Sequence, residues 1–198
     1  MTAGGAPVSP SAALLALLLL TIPSAAAGQH PVADGSLREG SLSFDGHATL
    51  GDFTGTTTTV TGRLAGAADL AGARGWVEAP VNTLKTGNGK RDADLNKSME
   101  SDRYPIMRFE LEDVSPEAVA PDSGTVTLHG TLLIHGVSRR VDLPATLAFE
   151  PQGLRLRSRF PLNLKDYGIG GLTKMLGMLK MHPDILVHVD LIFDYARP

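Results

Sequence analysis

The chain has 198 residues, of which 42% are hydrophobic and 20% charged, and its formal net charge is −3. That balance offers no basic face of the kind nucleic acid requires. The complete lack of cysteine excludes disulfides, thiolate metal sites, covalent c-type haem, a lipid-modified N-terminal cysteine and cysteine nucleophiles.

Residues 12–22 are an apolar run made mostly of Ala and Leu, followed by Pro23 and the small residues Ser24, Ala25, Ala26 and Ala27. The run is far shorter than the roughly 20 residues that span a bilayer. With small residues at its end it reads as a secretory signal cleaved near Ala27. Residues 28–198 then form one domain, periplasmic or secreted, large enough to fold on its core and hydrogen bonds alone.

Weakly alternating segments come first, over residues 37–45, 52–64 and 75–81. The stretch "TGNGKR" (86–91) follows as a turn, with Asn88 and Gly89 suited to positive φ. Residues 92–101, "DADLNKSMES", are the one convincing helix candidate, with Asp92 placed to hold Arg91 or to cap the helix. Another weak strand covers 106–114. Four clear strands then follow, each with apolar residues at every second position. In the first, Val126, Leu128, Leu132 and Ile134 share a face opposite Thr127, His129, Thr131 and His135. The second carries Val141, Leu143, Leu147 and Phe149. The third sets Leu154, Leu156, Phe160, Leu162 and Leu164 against Arg155, Arg157 and Arg159. The last sets Ile185, Val187, Val189, Leu191, Phe193 and Tyr195 against His188, Asp190 and Asp194.

Between the last two strands lies "GGLTKMLGMLKM" (170–181), which holds three of the six methionines. Leu172, Met175, Leu176 and Leu179 are spaced i, i+3, i+4 and i+7, one face of a short helix. Three roles suit it: plugging a barrel end, gating or touching a ligand with flexible thioethers, and dipping transiently into a membrane. A lid is the reading adopted here.

Eight strands joined by short links imply antiparallel neighbours in meander order. Their unpartnered apolar faces can be buried in a sandwich or in a sheet closed on itself, and closure also removes exposed edges. The fold class is therefore all-β with one short helix, an eight-stranded antiparallel barrel. Residues 123–135 reach about 43 Å at roughly 3.3 Å per residue, or about 33 Å along a barrel axis at a tilt near 40°. Ten aromatic residues fill such an interior poorly, so a lumen with spare volume competes with a side-chain-filled barrel.

Catalytic signals are thin. The pairs His129/His135 and His182/His188 do not match a metal-ligand spacing, so no metal is expected. Ser138 near His135 sits in a hairpin-like "HGVS" rather than a nucleophile elbow. "GNGKR" lacks the spacing and the strand–helix context of a phosphate loop.

In order and spacing, "TLKTGNGKRDADL", "SDRYPIMRFELEDV", "GTLLIHGVSRRVDLP", "RSRFPLNLKDYGI" and "VHVDLIF" resemble the YceI-like family, from about residue 41 to 195. The chain departs from that pattern at Asp94, where relatives often carry a histidine. The resemblance implies a lipocalin-like barrel that binds a polyisoprenoid, an isoprenoid quinone or another long-chain amphiphile, with no other cofactor. On that reading Leu128, Leu132, Ile134, Phe149, Phe160 and Val189 line the lumen. Tyr167 and Ile169 stand at its mouth, Leu172, Met175, Leu176 and Leu179 form the lid, and Lys90 or Arg91 meets the head group. Two other classes stay open: an isomerase or cyclase using the lumen as a pocket, and a solid-core stress-response barrel. The oligomeric state is likewise open, a dimer included.

Overall fold

The computed structural model describes residues 1, 30–49, 51–170, 173–174 and 179–196, with backbone alone for 173, 174, 179 and 180. In chain order the elements are β1 (Gly35–Gly46), β2 (Phe53–Thr57), β3 (Thr61–Ala65), β4 (Arg74–Pro80), helix α1 (Gly89–Ser98), β5 (Ile106–Val119), β6 (Ser123–Ile134), β7 (Val137–Glu150), β8 (Gly153–Asn163), β9 (Thr173–Lys174), β10 (Leu179–Lys180) and β11 (Asp184–Tyr195).

Every pairing is antiparallel. The sheet runs β11-β8-β7-β6-β5-β4-β3-β1, and β1 pairs β11 to close the ring. The strand expected over 52–64 is broken. β2 lies on Leu42–Gly46 and β3 on Gly35–Ser36, so together they fill one of eight positions beside β1. At the break the Thr57 hydroxyl hydrogen-bonds Thr83 Oγ1 at 2.7 Å and accepts from the Thr59 amide at 3.1 Å. β2 there pairs through Thr56 with Lys85 instead of with β4.

Alternation seen in the sequence becomes an inner and an outer wall. Along β6, Val126, Leu128, Leu132 and Ile134 are buried, while Thr127, His129 and Thr131 face outward. The outer faces carry cross-strand ion pairs: Arg155 to Asp190 at 2.8 and 2.6 Å, Arg157 to Asp190 at 3.1 Å, and Arg38 to Asp194 at 2.9 Å. The β6–β7 turn consists of His135 and Gly136, both at positive φ (53° and 74°), as a tight type I′ hairpin demands.

One end of the barrel is packed shut. Val32 exchanges two backbone hydrogen bonds with Ala67, and Val32, Leu70, Val126 and Leu147 are buried in the core there. At the other end lie the C-terminal halves of β1, β4, β6 and β8, the starts of β5 and β11, and α1. Gly87 is left-handed (φ 71°), and Asn88, the N-cap, accepts from the Lys90 and Arg91 amides at 3.1 Å each. The helix therefore begins three residues before the expected start, and the cap is Asn88, not Asp92. Asp92 accepts from the Thr86 amide and hydroxyl (2.8 and 2.6 Å), which holds its carboxyl below the ordinary 3.8.

Of the helix expected over 172–179, the described residues 173, 174 and 179 are strand instead, and 172 and 175–178 lie outside the described residues. Thr173–Lys174 and Leu179–Lys180 pair as an antiparallel two-stranded ladder, which continues through the Ala48–Met181 bridge and the His182 amide to the His47 carbonyl at 2.8 Å. The ladder offers the flanking backbone pairing partners that an isolated short helix lacks.

Candidate ligand-binding lumen

The barrel encloses a cavity of about 510 Å³, within the range of small-molecule sites. Its wall is built from inward positions of neighbouring strands: Leu42 and Phe44 on β1, Phe109 on β5, Leu128, Leu132 and Ile134 on β6, Leu154, Leu156, Phe160 and Leu162 on β8, and Val187, Val189 and Leu191 on β11. Leu154 and Phe193 mark its depth. The exposed residues Gly51, Asn88 and Lys90 mark where it meets solvent. This barrel is open inside, not filled by side chains.

Glycines create part of that space. A Cβ on Gly55 would lie 2.3 Å from the Phe44 ring, one on Gly46 2.6 Å from Phe53, and one on Gly130 2.7 Å from Phe109. Each bare position lets an aromatic ring lie along the wall instead of crossing the lumen. Phe44 and Phe53 meet edge to face at 6.0 Å. Where Gly62 and Gly75 leave the inner face of β3 and β4 bare, the space also reaches Trp76, Glu78 and Arg108. These form an outer-wall cluster, with Arg108 4.5 Å over the Trp76 ring and 2.8 Å from Glu78.

Polar groups concentrate at the rim. Asn88, Lys90, Arg91, Asp94 and Ser98 reach the cavity from α1 and its cap, facing Ala48, Thr49 and Phe53 from the opposite lip. Arg91 stacks 4.4 Å over the Phe53 ring, a cation–π contact that fixes its guanidinium at the mouth. Deeper inside, Ser158 is buried and its hydroxyl donates to the Pro144 carbonyl at 2.7 Å. Pro144 sits where the β7–β8 ladder ends.

Of the residues singled out from sequence, Leu128, Leu132, Ile134, Phe160, Ile169 and Val189 border the cavity, as do Lys90 and Arg91. Two do not. Phe149 is the last inward residue of β7, at the closed end, and its ring stacks on His30 at 4.9 Å. Tyr167 is turned inward by the Leu164–Tyr167 turn and left-handed Gly168, under Arg139 and away from the lumen. Burial raises its phenol pKa above the ordinary 10, and its carbonyl accepts from His135 Nδ1 at 3.1 Å. Leu172, Met175 and Leu176 lie outside the described residues, and Leu179 opens β10, with no side chain described.

Sequence reading missed Phe109, because a bulge between Leu111 and Asp113 breaks the period-two signal of β5. It also missed Leu95 and Met99, which line the lumen from α1 and the residue after it. Their spacing, i and i+4, was visible but carried no partner information. His135, placed on the wet face by parity, is instead covered by Tyr104 at 4.6 Å, with only 10% of its side chain exposed.

One constellation has the form of a hydrolase triad. His129 hydrogen-bonds Ser115 Oγ through Nε2 (2.8 Å) and Asp142 through Nδ1 (2.7 Å). All three project from the outer wall of β5, β6 and β7, away from the lumen, and the Asp142 carboxylate is 75% exposed. A cross-strand ladder accounts for the contacts. Among the described residues no group of three or more His, Cys, Asp and Glu side chains is placed to hold a metal.

A closed antiparallel barrel with an apolar lumen and with Lys90 and Arg91 at its mouth defines a lipocalin-like class of protein. The YceI-like domain profile matches residues 37–193, and the chain belongs to the YceI-like family. Solved structures similar in fold include Burkholderia cenocepacia BcnA (TM-score 0.67, 14% identity, 77% of this chain and 95% of that one). A polyisoprenoid binding domain from Saccharophagus degradans, implicated in plant cell wall breakdown, superposes with TM-score 0.67 at 15% identity over 83% of this chain and 99% of that one. The Campylobacter jejuni YceI protein gives 0.51 at 18% identity over 63% and 73%. No curated protein sequence matches significantly.

Proposed function

We propose that this protein binds one long-chain amphiphile without transforming it: an isoprenoid quinone, a polyprenyl lipid or a fatty-acid-type lipid. The tail lies in the lumen and the head group meets Lys90 and Arg91 at the rim. The observation that carries the reading is the mainly apolar cavity of about 510 Å³ with Lys90 and Arg91 at its mouth. At about 30 Å³ per water-sized group, it holds a chain of on the order of 15 methylene-sized groups. Each buried CH₂ contributes about 0.8 kcal/mol, so the gross gain is about 12 kcal/mol. Association costs of about 4 kcal/mol or more then leave at most about 8 kcal/mol, which is micromolar binding at the tightest. Membership of the YceI-like family and the likeness in fold to a polyisoprenoid binding domain support the same ligand class. The protein acts, on this account, as a carrier or sequestering protein in the periplasm or outside the cell, after removal of the leader near Ala27.

Titration with an environment-sensitive fluorescent fatty acid, followed by competition, tests the reading. Saturable one-to-one binding, displaced by at least one of an isoprenoid quinone, a polyprenyl phosphate or a fatty acid, is expected. Failure of the probe and of all three classes to bind overturns it.

A further inference from the structure

We infer that the open end of the barrel is a docking face for an anionic membrane surface, with the lumen pointed at the bilayer. The inference rests on the lipid-binding reading for its purpose and on the charge distribution for its evidence. The four lysines whose side chains are described, Lys85, Lys90, Lys97 and Lys165, all fall at that end. Lys90 borders the cavity itself, while Lys85, Lys97, Lys165 and Lys180 are sequence neighbours of the cavity-lining Leu84, Ser98, Leu164 and Met181. Lys174 lies on β9, paired with β10. Turns at the closed end carry Asp34, Asp69, Asp122 and Glu150 and no lysine.

The two kinds of cation are used differently. Five arginines on the wall are held in fixed pairs: Arg38 with Asp194, Arg108 with Glu78 and Glu110, Arg140 with Glu112, Arg155 and Arg157 with Asp190. The side chains of Lys90, Lys97 and Lys165 are exposed and make no ion pair among the described residues. Of the acids at the same end, Glu100 and Asp166 pair with Arg103 and Arg139, and Asp45 and Asp52 with His188 and His47, while Asp92 and Asp184 are held by the neutral Thr86 and Asn163 and keep their charge. Asp102 alone faces solvent there without a partner among the described residues. Flexible, hydrated ammonium groups suit a fluid plane of phosphates, whereas the guanidinium fork suits a fixed carboxylate.

A protein partner would want an apolar centre to its interface, and the only exposed large hydrophobic among the described residues is Met1. A head-group plane requires none. Docked mouth-down, a tail passes between bilayer and lumen without crossing water.

The test is co-flotation of the purified protein with phosphatidylcholine vesicles, with and without phosphatidylglycerol, at low and at high salt. Binding that needs phosphatidylglycerol and is lost in high salt is expected. Each lysine near an anionic surface is worth about fivefold in affinity, so the double variant Lys97→Glu/Lys165→Glu loses at least about 25-fold. Arg74→Glu, at the closed end, changes nothing. Lipid loading of the double variant, measured separately by mass spectrometry, stays intact and shows that it is folded. Equal binding to neutral vesicles, or a double variant that floats like the parent, overturns the inference. Retention on immobilised polyglutamate with no vesicle binding assigns the face to an acidic protein and also overturns it. Vesicle binding by a protein that takes up no lipid leaves the docking face standing and refutes the carrier reading instead.

Discussion

Val189→Phe separates a ligand lumen from a loosely filled core. Val189 points into the cavity from β11, paired with Leu42 on β1 and Ser158 on β8, and is half-buried. Phenylalanine adds about four carbons at that position, and each occupies space a ligand carbon would take. At about 0.8 kcal/mol per displaced CH₂, binding weakens by about 3 kcal/mol, a little over a hundredfold in Kd. The empty protein behaves oppositely. Overpacking a filled core costs typically 1–3 kcal/mol, but here the new ring enters existing space and buries apolar surface, so unfolding free energy stays level or rises. Two assays read the contrast: fluorescent fatty-acid titration for affinity, and denaturant unfolding of delipidated protein for stability. Unchanged affinity together with a loss of 1–3 kcal/mol in stability refutes the lumen argument.

Removing the rim cations together, Lys90→Ala with Arg91→Ala, is expected to weaken a ligand with an anionic head by roughly 10- to 100-fold, since hydrogen bonds to charged groups contribute about 1.5–3 kcal/mol. Binding of a neutral-headed analogue of the same tail length stays within about twofold by the same reasoning, and titration of the matched pair checks both. Gly130→Val places a Cβ 2.2 Å from the Glu110 carbonyl oxygen and 2.7 Å from the Phe109 ring. Calorimetry is expected to show a loss of about 1–3 kcal/mol, a fall in Tm of several degrees for a chain of this size. Asp190 carries a pKa lowered from 3.8, chiefly by its hydrogen bonds from Arg155. A depressed acid stabilises the fold above its unfolded pKa and loses that contribution as pH falls through the folded value. Asp190→Asn is therefore less stable than the parent at neutral pH, and the gap closes below about pH 3.8 in acid titrations followed by circular dichroism.

Where one face is wet and the other buried, the strands announced themselves: β6 and β8 alternate without interruption, and their inward leucines became the lumen wall. The signal failed where geometry departs from period two. The bulge in β5 between Leu111 and Asp113 shifted its parity, and the break at residues 58–60 split one ring position into β2 and β3. The segment 170–181 shows the other limit. Its i, i+3, i+4, i+7 spacing is a helical signal, yet its described residues 173–174 and 179–180 pair in a ladder that continues into the Ala48–Met181 bridge. Phe149 and Phe160 both belong to inward sets, and only topology tells that one plugs the closed end while the other faces the cavity. Arg91 on Phe53 joins residues from separate elements, a contact that no spacing within either element encodes.

The central claim is tested most directly by native mass spectrometry of residues 28–198, secreted from a bacterial host and purified without detergent, with organic extraction of whatever the lumen carries. A stoichiometric long-chain adduct, lost on extraction and restored by adding the same lipid back, is the predicted result. A clean apo mass that isoprenoid quinones, polyprenyl phosphates and fatty acids all leave unchanged contradicts the account.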